Sequence, residues 1–403
     1  MPRLINWLIA SLMTTVTIVI TSCGVANHDT ATRLSSPAMP TRCTKTGPVV
    51  FAVSGRQDSP APGLTGSMQA AATTAVDSGS AMGLLNVDGN PQLVAASAFS
   101  DPSAGNTTAL DVDKANYLLQ FKTAVAQLRA KAPHVSVLEA LDKAGRAVRA
   151  ACRHGGTIYL ADSGLSDTGP VDFCQQGLLQ ANPADVVAFL RREGDLPHLK
   201  GISVVLVGIG DTAPPQHPLS ISQRTNLIAI WSAIVKAGGA SSVQVDPAPR
   251  SGLAPSGVPT VTLVPVPRTP TWKPSDRKFS LPDSGPVGFQ PNTAVFRDPV
   301  GAAAALKKIA EYLIANPSAK ITLSGTTAHW PPGPSSLASD KWLGFRRALA
   351  CKAVLVRLGV ARGRIAARGL GWKFPGYEND QGPDGTLLPG PAEHNRSVIL
   401  SWR

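Results

Sequence analysis

The chain has 403 residues, of which 43% are hydrophobic, 16% charged and 5% aromatic. That much apolar sequence excludes global disorder and leaves room for two or three domains. Five cysteines are too few for a disulfide-built scaffold, and the formal net charge of +12 points to anionic surroundings without choosing among nucleic acid, membrane and cell wall.

Met1–Arg3 is a short basic start, Leu4–Ile20 is almost continuously apolar, and Ile20-Thr21-Ser22-Cys23 follows. A basic start, an apolar stretch and small residues before a cut predict a secretory signal peptide over residues 1–22. The Ile-Thr-Ser-Cys sequence resembles the lipobox of bacterial lipoproteins. That resemblance implies cleavage before Cys23 and acylation of Cys23 by palmitate-type chains. Several such chains, at about 0.8 kcal/mol per buried CH₂, would hold the protein firmly in a lipid bilayer. The expected location is therefore extracytoplasmic, lipid-anchored to a bacterial cell membrane or outer membrane. Residues 23–46 are polar, rich in Ser and Thr, and read as a lipidated tether.

From Val49 the chain reads as α/β. Val49–Val53 is a fully apolar run, typical of a buried central strand. Leu84–Val87 and Gln92–Phe99 flank Asp88-Gly89-Asn90 and predict a hairpin. Helices are expected over 112–131, where Leu118, Phe121, Val125 and Leu128 fall at helical spacing, and over 136–151. Thr157–Ala161 and Ile202–Gly208 are further apolar strands, and Ser242–Val245 is another. Pro183–Arg192 is a helix opened by Pro, and residues 220–237 form a helix closed by Gly238-Gly239. The alternation predicts a doubly wound, mostly parallel α/β sheet over residues 47–271. Prolines crowd residues 247–285; Thr260–Val266 reads there as an edge strand and the rest as a stiff spacer, with a domain boundary near 272.

Residues 272–403 follow a second pattern. Asp298-Pro299 opens a helix, Asp as N-cap and Pro in its first turn, with Leu306, Ile309 and Leu313 on its apolar face. Lys320–Ser324 is a strand, 339–358 a helix ended by Gly359, and Arg364–Gly371 and Ser397–Trp402 are strands. The order is β-α-β-α-β-β, an α+β sandwich. Residues 271–403 hold 18 Lys/Arg against 9 Asp/Glu, so most of the excess charge lies there. An exported basic domain meets wall polymers and lipid head groups before DNA, and no nucleic-acid partner is expected.

In this second pattern Gly325-Thr326-Thr327-Ala328 follows a strand, and Asp340 precedes Leu343-Gly344-Phe345-Arg346-Arg347-Ala348 on a helix. Gly359-Val360 with Arg364-Ile365, Gly369-Leu370-Gly371 with Pro375, and Asn395-Arg396-Ser397-Val398 come after. In order and spacing these resemble the OmpA-like domain of the OmpA/MotB/Pal group of peptidoglycan-binding proteins. The resemblance implies that the domain binds peptidoglycan non-covalently through the diaminopimelate of the wall peptide; Arg347, Thr327 and Arg396 are the expected contacts, with Asp340 added on its spacing from Arg347. A zwitterionic ligand end needs a carboxylate for its ammonium and a guanidinium fork for its carboxylate. The chain keeps the family Arg as Arg347, carries Ala328 where the family has Asp, and places Asp340 where the family has Asn. Asp340 and Arg347 share one helix face two turns apart, so Asp340 is expected to restore part of the missing anion. Trp330 sits in the loop after the turn, where it could stack on a sugar; Trp342 and Trp402 are expected in the core.

Residues 47–271 resemble a von Willebrand A-like domain more loosely. Its metal loop, Asp-x-Ser-x-Ser after the first strand, here reads Ser54-Gly55-Arg56-Gln57-Asp58. An arginine at that place repels a cation, so no metal or other cofactor is expected. Asp162, Asp167 and Asp211 remain on strand ends where α/β proteins bind ligands. In the strand order this resemblance implies, Cys43 and Cys152 fall at one sheet edge, which favours a Cys43–Cys152 disulfide; Cys152–Cys174 is the rival. Catalytic signatures are missing from the sequence, with no Gly-x-Ser-x-Gly, P-loop or His-Glu-x-x-His, and no enzyme is expected. Two functional readings follow. One is a lipoprotein linking membrane to wall, with the α/β module binding an unknown protein partner. The other is a membrane-anchored receptor or adhesion component in which the α/β module binds the ligand and the C-terminal domain is only a scaffold.

Overall fold

The computed structural model describes residues 38–101, 106–268, 271–330 and 336–402. The expected leader, Cys23 and the expected tether as far as residue 37 lie outside the described residues. Among the described residues no helix is long and apolar enough to cross a membrane.

In the first half, β1 (Val49–Ser54), β2 (Ala81–Val87), β3 (Gln92–Ala98), β4 (Thr157–Ala161), β5 (Ser203–Val207) and β6 (Ser242–Asp246) form one sheet, ordered β3-β2-β1-β4-β5-β6. All neighbours are parallel except β2 and β3, a hairpin at whose turn Asn90 N donates to Asp88 Oδ1 (2.9 Å). β1 is apolar throughout because both of its faces are covered. Val50 and Ala52 join the core under α3 (Val137–Ala151), α4 (Pro183–Glu193) and α5 (Ile221–Ala237). Val49, Phe51 and Val53 face α1 (Gly66–Asp77) and α2 (Thr107–Ala126). The strand order reverses between β1 and β4, so the loops leaving their C-terminal ends diverge around a crevice.

Two features differ from the sequence-based expectation. Helix α1 was not anticipated: its small residues bury only Met68, Ala72, Ala75 and Val76. The expected edge strand Thr260–Val266 is not a strand. Val264 N donates to Gln216 Oε1 (2.9 Å) and Gln216 Nε2 donates back to Val264 O (3.0 Å), while Thr262 N donates to Asp167 Oδ2 (3.1 Å). Side chains thus replace the neighbouring strand, and Val264 packs into the first core.

In the second half, β7 (Lys278–Pro282), β8 (Ile321–Thr326), β9 (Ile365–Gly371) and β10 (Ser397–Trp402) form a sheet ordered β7-β10-β8-β9. β10 runs antiparallel to both neighbours and β8 parallel to β9. α6 (Pro299–Ala315) is capped by Asp298, whose Oδ1 accepts from Val300 N (3.1 Å) and Gly301 N (2.9 Å). It packs beside α7 (Ser336–Arg357) through Leu306, Ile309 and Leu313. The expected β-α-β-α-β-β order gains a short helix, α8 (Pro389–Asn395), before the last strand. Trp342, expected in the core, is 60% exposed on α7, whereas Trp402 stacks on Trp272 with centroids 5.5 Å apart.

α7 lies with its backbone almost on the sheet. A Cβ on Gly325 would stand 1.9 Å from Gly344 O, and one on Gly344 would stand 2.4 Å from Gly325 O, so neither position admits a larger residue. The two halves meet where α8 rests on the turn Leu178–Gln180, with Arg396 Nη1 paired to Asp185 Oδ2 (2.5 Å) and Arg192 Nε to Asp384 Oδ2 (2.8 Å). Cys43 is bonded to Cys152, with Cα atoms 5.0 Å apart, and Cys174 is free.

Candidate functional site

The Gly325–Gly344 contact brings the middle of α7 to the end of β8, and Arg347 lies one turn further along. Arg347 is 5% exposed. Its Nε donates to Thr293 O (3.0 Å) and its guanidinium carbon stands 5.1 Å from the centre of the Phe289 ring. The nearby carboxylates are otherwise engaged. Asp283 Oδ2 is paired with Arg297 Nη1 (3.2 Å) and accepts from Phe289 N through Oδ1 (3.0 Å). Glu393 on α8 accepts from Ser284 N (2.7 Å), and burial pushes its carboxyl up to about 8, so at neutral pH it is mostly protonated. Burial pulls the Arg347 guanidinium down, the Asp283 carboxylate offsets part of that, and Arg396 and Arg297 add like charge beside it. The result is a buried cation for which the described residues supply no matched anion.

Asp340 enters this helix two turns earlier and is 7% exposed. Burial raises its pKa, Ser336 hydrogen-bonds to the carboxylate, and its Oδ2 has no partner among the described residues. Thr327 Oγ1, at the end of β8, is likewise buried and unpartnered. Seven residues separate Asp340 from Arg347, about 10.5 Å along the axis, and the two side chains do not meet. Arg347 faces Thr293 and Phe289, whereas Asp340 lies beside Gly371, His329 and Asp380. The expectation that they grip one ligand head together is therefore corrected: they stand at opposite ends of the helix face. Arg396, also expected to touch ligand, is committed to Asp185 of the first half. Ala328 packs with Leu387 and Ala392, so an apolar contact fills the place of the family carboxylate.

Sequence reasoning missed Asp380, which is fully buried and knots the loops over this end of the sheet. It accepts from Tyr377 OH (2.5 Å), His329 N (2.9 Å) and Asn395 Nδ2 (2.9 Å). The His329 ring stacks on Trp372 at 3.9 Å. In a stretch of Gly, Pro, Asn and Asp, an aspartate reads as a turn residue, and nothing local marks its distant partners.

At the C-terminal edge of the first sheet the von Willebrand A-like resemblance places a metal loop. Arg56 occupies that position, 1% exposed. Its guanidinium donates to both oxygens of Asp58 (2.7 Å each), to Asp162 Oδ1 and Oδ2 (3.1 and 3.2 Å), to Ser54 Oγ (3.1 Å) and to Ser163 Oγ (2.8 Å). Asp167 and Asp211 are turned elsewhere, to His134, Val135 N and Thr262 N, and to Arg224 and Arg250 N, respectively. The residues present do not fit a bound metal.

No family model matches the chain, and no curated protein matches it. Among solved structures, the periplasmic domain of Helicobacter pylori MotB is 18% identical over 31% of this chain and 74% of that one, with a TM-score of 0.25. The peptidoglycan-associated lipoprotein from Burkholderia pseudomallei is 22% identical over 32% of this chain and 92% of that one, at 0.23. The OmpA-like domain of FopA1 from Francisella tularensis is 16% identical over 31% of this chain and 71% of that one, also at 0.23.

Proposed function

We propose that the protein is an extracytoplasmic lipoprotein that ties a bacterial membrane to the cell wall by non-covalent binding of peptidoglycan. The observation that carries this reading is Arg347, a buried guanidinium with no carboxylate paired to it among the described residues. A buried charge without an ion pair of its own is costly, and a ligand carboxylate taken bidentately on the planar fork lowers that cost. The free carboxylate of a diaminopimelate side arm has that chemistry. The net positive domain draws anionic wall polymers toward this face. Cys23 supplies the lipid anchor, the Cys43–Cys152 bond fits an oxidising compartment, and the α/β module serves as the platform for a protein partner. Binding, not turnover, is the activity.

The test is co-sedimentation with purified diaminopimelate-type sacculi. Arg347→Ala is expected to weaken binding by roughly tenfold or more, the loss of a charged hydrogen-bonded contact, and Arg347→Lys by less. Sedimentation of Arg347→Ala equal to that of the unaltered protein overturns the reading. Mass spectrometry of the membrane-extracted protein is expected to find acyl chains on Cys23.

A further inference from the structure

We propose that the oxygen cage at the C-terminal edge of the first sheet is a cation site whose resident cation is the chain's own Arg56 guanidinium, so that this edge is organised without a divalent ion. Two carboxylates and two hydroxyls, from Asp58, Asp162, Ser54 and Ser163, converge on one point at the ends of β1 and β4. That is an oxygen set of the kind hard divalent cations take. Here six hydrogen bonds from one side chain fill it, and Arg56, Asp58, Asp162, Ser54 and Ser163 are all at most 1% exposed. Asp162 and Asp58 hold the guanidinium charged against the penalty of burial.

The cage also joins loops that would otherwise part at the crevice. Ala213 N donates to Asp58 O (3.0 Å) and Gly210 N to Ser163 O (2.7 Å), tying the loop after β5 to those after β1 and β4. A second buried arginine, Arg250, extends the staple by donating to Ala161 O (2.9 Å) and Pro60 O (3.0 Å). A covalently attached cation cannot dissociate, so the edge holds one arrangement at any metal concentration, and a partner reads the rim around the cage rather than an ion within it. This inference is independent of wall binding by the second half.

The cage implies its own test. Arg56→Ser removes the guanidinium and leaves two carboxylates and three hydroxyls, while Gln57 Oε1 and Ser59 Oγ in the same loop are buried and unpartnered. Mn²⁺ is the probe, followed by calorimetry and electron paramagnetic resonance, with thermal melting in chelator and in millimolar Mn²⁺. The unaltered protein is expected to bind no Mn²⁺ at this edge and to melt alike in both buffers. Arg56→Ser is expected to melt early in chelator, to recover with Mn²⁺, and to take up one ion per chain; adding Asp162→Asn is expected to weaken that uptake by about tenfold or more. Uptake of Mn²⁺ by the unaltered protein that Asp162→Asn abolishes overturns the proposal. So does an Arg56→Ser protein that neither binds nor is rescued, whether it is folded or not.

Discussion

Among the described residues three arginines are buried, and their surroundings differ in kind. Arg56 has two carboxylates, Arg250 has backbone carbonyls of Ala161, Pro60 and Ala61, and Arg347 has one carbonyl and a ring face. Glu393, close to Arg347, is the group that could neutralise it, but burial keeps its proton on up to about 8. This has a stability consequence with a definite sign. Glu393 has a folded pKa above its ordinary value of 4.5, so the folded state holds the proton while the unfolded chain releases it. The contribution of the group is full below about 4.5 and is lost as pH rises toward about 8. Chemical denaturation across that window is expected to show falling stability, and Glu393→Gln is expected to flatten the slope. The ionised carboxylate would also compete for Arg347, so sedimentation with sacculi is expected to weaken above pH 8 in the unaltered protein and not in Glu393→Gln. Arg347 itself was legible in the sequence from its place in the Leu343–Ala348 stretch. Its lack of a counter-charge was not, because that depends on Asp283 being taken by Arg297, fourteen residues on in the chain but opposite it in space.

Elements were legible where composition left one solution. The apolar runs at β1, β4 and β5 can only be central strands with both faces covered, and the structure makes them so. α1 was illegible because Ala, Thr and Gly give almost no contrast between its buried and exposed faces. α8 was illegible because two prolines and a glycine in seven residues read as a loop. Val261 and Val264 mimic a strand, yet their stretch is held by the Gln216 and Asp167 side chains, which no periodicity reveals. The α7–β8 contact makes a prediction at this scale. Gly344→Ala gains about 1 kcal/mol of helix propensity, but its Cβ would meet a backbone carbonyl at 2.4 Å, which cannot yield as a side chain could. Overpacking costs about 1–3 kcal/mol, so the variant is expected to melt earlier and to displace Arg347, with sacculus binding reduced in parallel.

At the scale of the molecule, the two halves share a polar seam. Arg396, read in sequence as a ligand contact, instead joins the end of α8 to α4 through Asp185, whose side chain is 21% exposed. Breaking a fully buried pair costs about 3–5 kcal/mol; partial exposure lowers the figure here to about 1–2 kcal/mol. Asp185→Asn is expected to leave each half folded and to loosen the seam, read as faster proteolysis around Asp384 and a larger radius of gyration in solution scattering. The Cys43–Cys152 bond closes a loop of 109 residues, which in the chain-entropy account is worth about 4–5 kcal/mol.

That bond sits six residues ahead of β1, where the chain first enters the sheet. A strand pulled from its own terminus unzips one hydrogen bond at a time. Here a tug arriving from the amino-terminal side reaches Cys43 before it reaches Val49 and passes through sulfur into the end of α3 and, beyond it, β4. The load is thus divided between β1 and β4, parallel neighbours in the middle of the sheet, instead of falling on β1 alone.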